Sequence, residues 1–315
     1  MDYLLVPQPQ SVRFQSTALL LPAALSLKES FDFEGLVQRV FTKLIFGQET
    51  EIGFAIEKDE SFPKEGYSLR VNSRGICLKS STRTGCFYGL QTLKQLYEQG
   101  LGRELPYVEI IDEPDFMHRG FMLDVSRCKV PKMDVLIDLI KLMASLKMNQ
   151  LQLYIEHTFA FSNHVEVWGD SSALTGEEIQ DLDTLCRENF IELIPNLNSF
   201  GHMERWLKLD KYKHLAECPD GFVHPISNKQ HESGSTLFPS TDSLDFLVEL
   251  YGEYLPHFSS GNFNIGGDEP WELGRGRSES IVGEKGKSVV YLEFMKAIHA
   301  RVISQGKHMQ CWADI

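Results

Sequence analysis

"GFMLDVSRCKVPK", residues 120–132, is the stretch on which the fold turns. Residues 120–126 (GFMLDVS) read as a strand, and after the turn a helical apolar pattern fills 133–147 (MDVLIDLIKLMASLK). A strand feeding a helix opens a βα unit. In an open, doubly wound sheet the first such turn is normally a glycine-rich phosphate loop. Here the turn "DVSRCKVPK" contains no glycine. That favours the other common parallel architecture, a closed barrel.

The same grammar repeats downstream. Strand-like runs occupy 149–155 (NQLQLYI), 191–198 (IELIPNLN), 262–266 (NFNIG) and 308–313 (HMQCWA). Helical patterns at 177–189, 242–256 and 288–305 separate them, and Gly306 follows the last. Strict alternation of strands and helices implies a parallel sheet. Five βα units in roughly 200 residues match the rhythm of a (β/α)8 TIM-type barrel, which takes about 250. The chain stops at Ile315, directly after the fifth strand, so the barrel is expected to be truncated there. Residues 204–240, rich in Lys, His, Pro, Ser and Gly, read as a loop.

Upstream lies a different, mixed α/β unit. "YSLRV" and "ICLKSS" flank "NSRG", which predicts a hairpin at 67–80. Phe87, Leu90, Leu93 and Leu96 then recur every three or four residues, with Gly100 just past the end, as in an amphipathic helix with a glycine cap. The predicted division is a small α/β domain over 1–112 and a barrel domain over 113–315.

Composition narrows the function. With 42% hydrophobic and 24% charged residues, the 315-residue chain is an ordinary globular one, and its formal net charge of −13 repels nucleic acid and anionic lipid. Cys77, Cys86, Cys128, Cys186, Cys218 and Cys311 form no CxxC pair, so free thiols are expected, with no zinc site and no cofactor. "MDYLLVPQPQ" lacks a basic leader, and no run reaches the 18 apolar residues of a membrane span. A cytoplasmic location is the expectation.

Candidate chemistry gathers at the strand ends: Glu156–His157, His202 in "NSFGHM", Asp268–Glu269, and Asp314 after Trp312. Asp268 and Glu269 have Cα atoms about 3.8 Å apart, so they cannot bracket a substrate from opposite faces. That argues against the usual glycosidase pair, which sits about 5–5.5 Å or more apart across the sugar. What remains open is one acid donating a proton while its neighbour stabilises positive charge, an arrangement close like charges favour. Also open is a metal-dependent barrel hydrolase or lyase with Asp268, Glu269 and Glu156 as oxygen ligands.

These residues fit a family. "FNIGGDEPW" resembles the strand-four signature of the family 20 β-N-acetylhexosaminidases, in which a glycine-preceded Asp-Glu pair is catalytic. "HRGFMLDVSR" (118–127), "NLNSFGHM" (196–203) and "CWADI" (311–315) are similar to the first, third and fifth barrel strands, and "EGYSLRV" with "GICLKSSTRTGCFYGLQTLKQL" to the preceding domain. The resemblance implies exo-hydrolysis of terminal β-linked GlcNAc or GalNAc by a substrate-assisted, retaining route. In it the substrate's 2-acetamido oxygen attacks C1, Asp268 orients the acetamide, and Glu269 is the acid and then the base. It implies Arg119 on the C3 and C4 hydroxyls, His202 beside the acid, and Trp312 as an aromatic wall. Carbohydrate is the implied partner, and a homodimer through the unpaired sheet edge is an expectation. Two departures stand against this. His157–Thr158 occupy the place of an Asp-Asp in many relatives, where Glu156 is a substitute carboxylate for His202. The pocket residues of strands six to eight are also absent, so this piece is expected to be inactive. The competing reading is a non-catalytic glycan-binding protein on a decayed barrel.

Overall fold

The computed structural model describes residues 3–312 apart from 43, 48–51 and 128. Cys128 and Asp314, singled out above, therefore lie outside the described residues. The chain divides into two units: residues up to Arg119 together with Lys141–Asn149, and Gly120–Ile140 together with the chain from Gln150 onward.

The first unit is a six-stranded sheet: β1 (Ser11–Leu20), β2 (Ser26–Glu29), β3 (Gly53–Lys58), β4 (Tyr67–Asn72), β5 (Gly75–Ser80) and β6 (Glu104–Asp112), in the order β1-β6-β4-β5-β3-β2. β4 and β5 form the expected antiparallel hairpin, with Asn72 opposite Gly75. The helix Arg83–Gln99 starts where the Thr82 hydroxyl accepts the Gly85 N–H, and it buries Phe87, Leu90, Leu93 and Leu96. Beneath this core sits an ion pair. The Lys147 ammonium donates to Asp112 at 2.8 Å and to the Tyr67 hydroxyl at 2.9 Å, and Tyr67 in turn donates to Asp112 at 2.9 Å. Burial lowers the Lys147 pKa, while the Asp112 charge opposes that.

The second unit is built on five parallel strands: β7 (Gly120–Asp124), β8 (Gln150–Ile155), β9 (Glu192–Leu197), β12 (Asn262–Asn264) and β13 (His308–Gln310), in spatial order β7-β8-β9-β12-β13. The alternation read from the sequence is reproduced. Helices Met133–Ser145, Gly176–Glu188, Thr241–Tyr254 and Lys287–Ser304 fall between the strands. All five strands are shorter than predicted, the fourth and fifth most of all in proportion, and single backbone bonds continue the pairing past Asn264 and Gln310 where the regular strands stop. The 204–240 segment differs from a plain loop. It carries the short helix Glu204–Leu207, a 3-10 turn at Lys213–Leu215, and a hairpin of β10 (Phe222–Val223) with β11 (Gln230–His231). Its anchor is Trp206, fully buried among Phe161, His164, Tyr212 and Phe246, whose indole N–H donates to the Glu156 carbonyl at 2.8 Å. No helix of the described residues is long and apolar enough to cross a membrane.

The buried ion pair yields a stability test. Lys147→Ala strands the Asp112 carboxylate and should destabilise the protein by about 3–5 kcal/mol, read as a fall in the denaturant midpoint. The double variant Lys147→Met/Asp112→Leu should recover most of that loss.

Candidate active site

Side chains at the C-terminal ends of β7, β8, β9 and β12 converge, because parallel neighbours in register end at the same level. Asp124 pairs with Tyr154, Ile155 with Leu197, and Asn196 with Asn264. Backbone bonds continue the ladder past the strands: Ser199 N–H donates to the Ile265 carbonyl at 3.0 Å, and Ile265 N–H to the Gln310 carbonyl at 3.0 Å. Two glycines make the closest approaches. A Cβ on Gly201 would stand 2.5 Å from the Asp268 carbonyl oxygen, and one on Gly266 (φ 69°) would stand 2.1 Å from Asn198 Oδ1. No larger residue fits either place.

His202 and Glu269, neither of them glycine, both adopt left-handed backbone, with φ 59° and 49°. Such conformations cost free energy and persist only where surrounding structure imposes them. What they achieve here is a common focus. His202 Nε2 lies 3.2 Å from Asp268 Oδ2 and 3.6 Å from Glu269 Oε2. On the other side of the ring, Nδ1 lies 3.3 Å from Arg127 Nη2 and 3.8 Å from Glu156 Oε1. Burial alone would lower the His202 pKa. The hydrogen bond and charge of Asp268, with the charge of Glu156, outweigh it, so the net shift is upward. Asp268 Oδ1 is buried and has no hydrogen-bond partner among the described residues. A carboxylate oxygen so placed is able to accept a hydrogen bond from water or from a ligand.

Arg127 is the cation of the cluster. Its Nε donates to Glu156 Oε1 at 3.1 Å and its Nη2 to the Tyr154 hydroxyl at 2.9 Å, while the side chain stays 55% exposed. Asp124 holds the turn beneath it by accepting the N–H groups of Ser126 and Arg127 at 2.9 and 3.0 Å. Tyr154 donates to Glu156 at 2.9 Å, and burial pushes its pKa upward, so it keeps that proton. A cavity of about 510 Å³ opens beside Glu156, lined also by Ser126, His157, Thr158, Asp170 and Arg205. His157 is buried there, and its burial, with the Arg205 charge, lowers its pKa to about 4.

Of the residues singled out in the sequence, Asp268, Glu269 and His202 come together. The backbone of Trp312 follows β13 next to this group, its main-chain N–H donating to the Gly266 carbonyl at 3.0 Å, and the residue is partly exposed. Glu156 reaches His202 mainly through Arg127. The structure does not bring Arg119 to this group. Arg119 precedes β7, at the opposite end from Asp124, a strand length of about 16 Å away. Its guanidinium is taken up by Glu65 at 2.9 Å, Tyr88 at 2.9 Å, and the carbonyls of Phe116 and Lys147 at 2.6 and 2.7 Å. Arg127 and Tyr154, which the sequence reading passed over, stand in the cluster instead. Among the described residues no group of three or more His, Cys, Asp or Glu is placed to hold a metal ion.

Behind Glu269 the chain is lashed to the 204–240 segment by two fully buried carboxyl groups. Glu217 accepts from Ser278 N–H at 3.0 Å, Ser278 Oγ at 2.6 Å and Gly276 N–H at 3.2 Å. Glu272 accepts from Ser235 N–H at 2.6 Å and Ser235 Oγ at 2.7 Å. Burial pushes the Glu272 pKa up to about 7; the Ser235 bonds oppose the rise and the Glu217 charge adds to it.

The comparisons with known proteins agree with this geometry. Residues 116–315 match the model of the glycosyl hydrolase family 20 catalytic domain, and residues 2–113 that of the family's domain 2. The chain is similar to a β-hexosaminidase of Porphyromonas gingivalis, 31% identical over 231 residues, covering 65% of this chain and 29% of the relative. It is 28% identical over 256 residues to a β-hexosaminidase of Akkermansia muciniphila, covering 72% of this chain and 50% of that one. Among solved structures, the exo-β-N-acetylglucosaminidase of Vibrio harveyi aligns with a TM-score of 0.82 at 19% identity, covering 98% of this chain and 54% of that one. The chain belongs to glycosyl hydrolase family 20. It spans half or less of the length of these curated relatives.

The Glu272 environment gives a pH prediction. Folded Glu272 keeps its proton up to about pH 7, whereas an unfolded glutamate loses it near its ordinary value of 4.5. The stability it contributes is therefore full below about pH 4.5 and lost as pH rises through about 7. The Glu217 charge acts on Glu272, and both carboxyl groups act on the nearby Cys218 thiol. Glu272→Gln should remove the effect, so the wild-type Tm should fall by several degrees relative to the variant between about pH 5 and 8.

Proposed function

We propose that the protein is an exo-β-N-acetylhexosaminidase, removing terminal β-linked GlcNAc or GalNAc by substrate-assisted, retaining catalysis, on a (β/α)8 barrel whose first five strands this chain carries. The observation that carries the reading is the buried, unpartnered Oδ1 of Asp268, next in sequence to a half-exposed Glu269 and fixed by His202. An acetamide N–H is the donor that oxygen lacks.

In the first step the acetamido oxygen of the substrate forms a bond to C1 as the bond from C1 to the leaving oxygen breaks. Glu269 gives its proton to that oxygen. Positive charge spreads over the resulting oxazolinium ring, and Asp268 balances it at the nitrogen through Oδ1. In the second step Glu269, now a carboxylate, takes a proton from water as the water oxygen attacks C1 and the ring reopens, which restores the original anomeric configuration. His202 keeps Asp268 oriented by its 3.2 Å bond, and its upward-shifted pKa favours the charged imidazole that does so. Arg127 takes the role expected of Arg119. It is the exposed guanidinium of the cluster, and its planar fork suits two neighbouring hydroxyls. Trp312 supplies the wall against the sugar or its acetamido methyl.

Hydrolysis of a chromogenic N-acetyl-β-glucosaminide by the full-length protein tests this. Glu269→Gln should lower kcat/KM by about 10²–10⁴-fold, and Asp268→Asn should lower kcat strongly with the fold intact. Undiminished turnover in Glu269→Gln would remove Glu269 from the role of acid. Arg127→Ala should cost roughly 10–100-fold in kcat/KM through a lost charged hydrogen-bond donor, whereas Arg119→Ala should act on the unfolding midpoint and little on turnover.

A further inference from the structure

Beyond Glu269 the chain does not simply leave the site. The Trp271 N–H donates to the Glu269 carbonyl at 2.7 Å, which holds the indole two residues from the acid. The ring is partly exposed. It packs on His224, 5.4 Å between centroids at 57°. His224 is itself fixed: its Nδ1 accepts the N–H groups of Ile226 and Ser227 at 3.3 and 3.2 Å, and its ring lies 5.9 Å from that of His231. His231 stacks on Phe222 at 5.0 Å and 23°. The hairpin β10–β11 is thus an aromatic backing for Trp271. Glu217 and Glu272 tie its flanks to the residues just after Trp271. Burying two carboxyl groups is expensive unless they are bonded, and their bonds to Ser278, Gly276 and Ser235 brace the chain after the acid.

We propose that Trp271, backed by His224, is the platform of a leaving-group subsite that takes an uncharged pyranose on the far side of the bond being cut. This rests on the function proposed above. The leaving oxygen must come within about 2.6–3.2 Å of the Glu269 carboxyl to receive its proton. Two residues of chain span at most about 7 Å, so a sugar ring bearing that oxygen reaches the indole. A partly exposed indole offers the two surfaces a pyranose needs, an apolar face for its C–H groups and an N–H that can donate to a hydroxyl. The formal charge of −13 disfavours an anionic sugar in this place.

The experiment compares N,N′-diacetylchitobiose with methyl N-acetyl-β-glucosaminide, which has no ring to stack, using the full-length protein and its Trp271→Ala, Trp271→Phe and His224→Ala variants. Trp271→Ala should lose about tenfold more kcat/KM on chitobiose than on the methyl glycoside, chiefly through KM. Trp271→Phe should restore most of the difference, and His224→Ala should show a smaller loss of the same selectivity. Equal losses on both substrates, or none on either, would overturn the subsite while leaving the hydrolase reading in place. A wild-type protein that cleaves neither substrate would overturn both. If Trp271→Ala fails to fold, the ratio in the Phe and His224 variants decides.

Discussion

The hydrogen bond between His202 and Asp268 exists because two parallel strand ends are forced together by backbone alone. β9 and β12 share a ladder through Asn196 and Asn264, and the Ser199 amide extends it to Ile265. Gly201 then lets its chain pass against the Asp268 carbonyl at a distance that excludes any side chain. Given that approach, the left-handed turns at His202 and Glu269 are the means of aiming an imidazole and two carboxyl groups at one point. The strain is held by the surrounding ladder, which over-determines the loop conformation. Adjacent acids on one segment suit the proposed route, in which the substrate brings its own nucleophile.

Electrostatics in the cluster follow from that crowding. Arg127 is the cation among Asp124, Glu156, Asp268 and Glu269, and His202 sits between it and Asp268. The charge of Arg127 opposes protonation of His202, and the carboxylates favour it more. A partly exposed guanidinium can serve both its protein partners and a ligand, since it has five donors and its bonds to Glu156 and Tyr154 use only Nε and Nη2. The segment that looked like a loop is likewise tied to the chain around this cluster. Trp206 pins its start to β8, and Glu217 and Glu272 pin its return to the chain after Glu269.

Much of the site was legible because its residues follow strands in the sequence, and a parallel sheet puts such residues on one edge. His202, Asp268, Glu269 and the carboxylate of Glu156 all follow strands in this way, and the structure brings them together. Applied consistently, that reasoning would also have preferred Arg127 to Arg119. Both arginines flank the same strand in "HRGFMLDVSR", and only Arg127 follows it. Tyr154 carried no such signal. It lies within β8, and its hydroxyl matters because the end of β7 delivers Arg127 to it and the end of its own strand turns Glu156 back onto it.

The sequence by itself determined the alternation of strands and helices, the hairpin at 67–80 and the acids at the end of the fourth parallel strand. All of these depend on local period and on residues close in the chain. Tertiary structure decided which guanidinium stands with the acids, which carboxylate oxygen is left without a donor, and that residues 204–240 are tied to the chain after Glu269. Those depend on contacts between segments dozens of residues apart, whose energies come from burial and backbone approach. No local pattern encodes such distances.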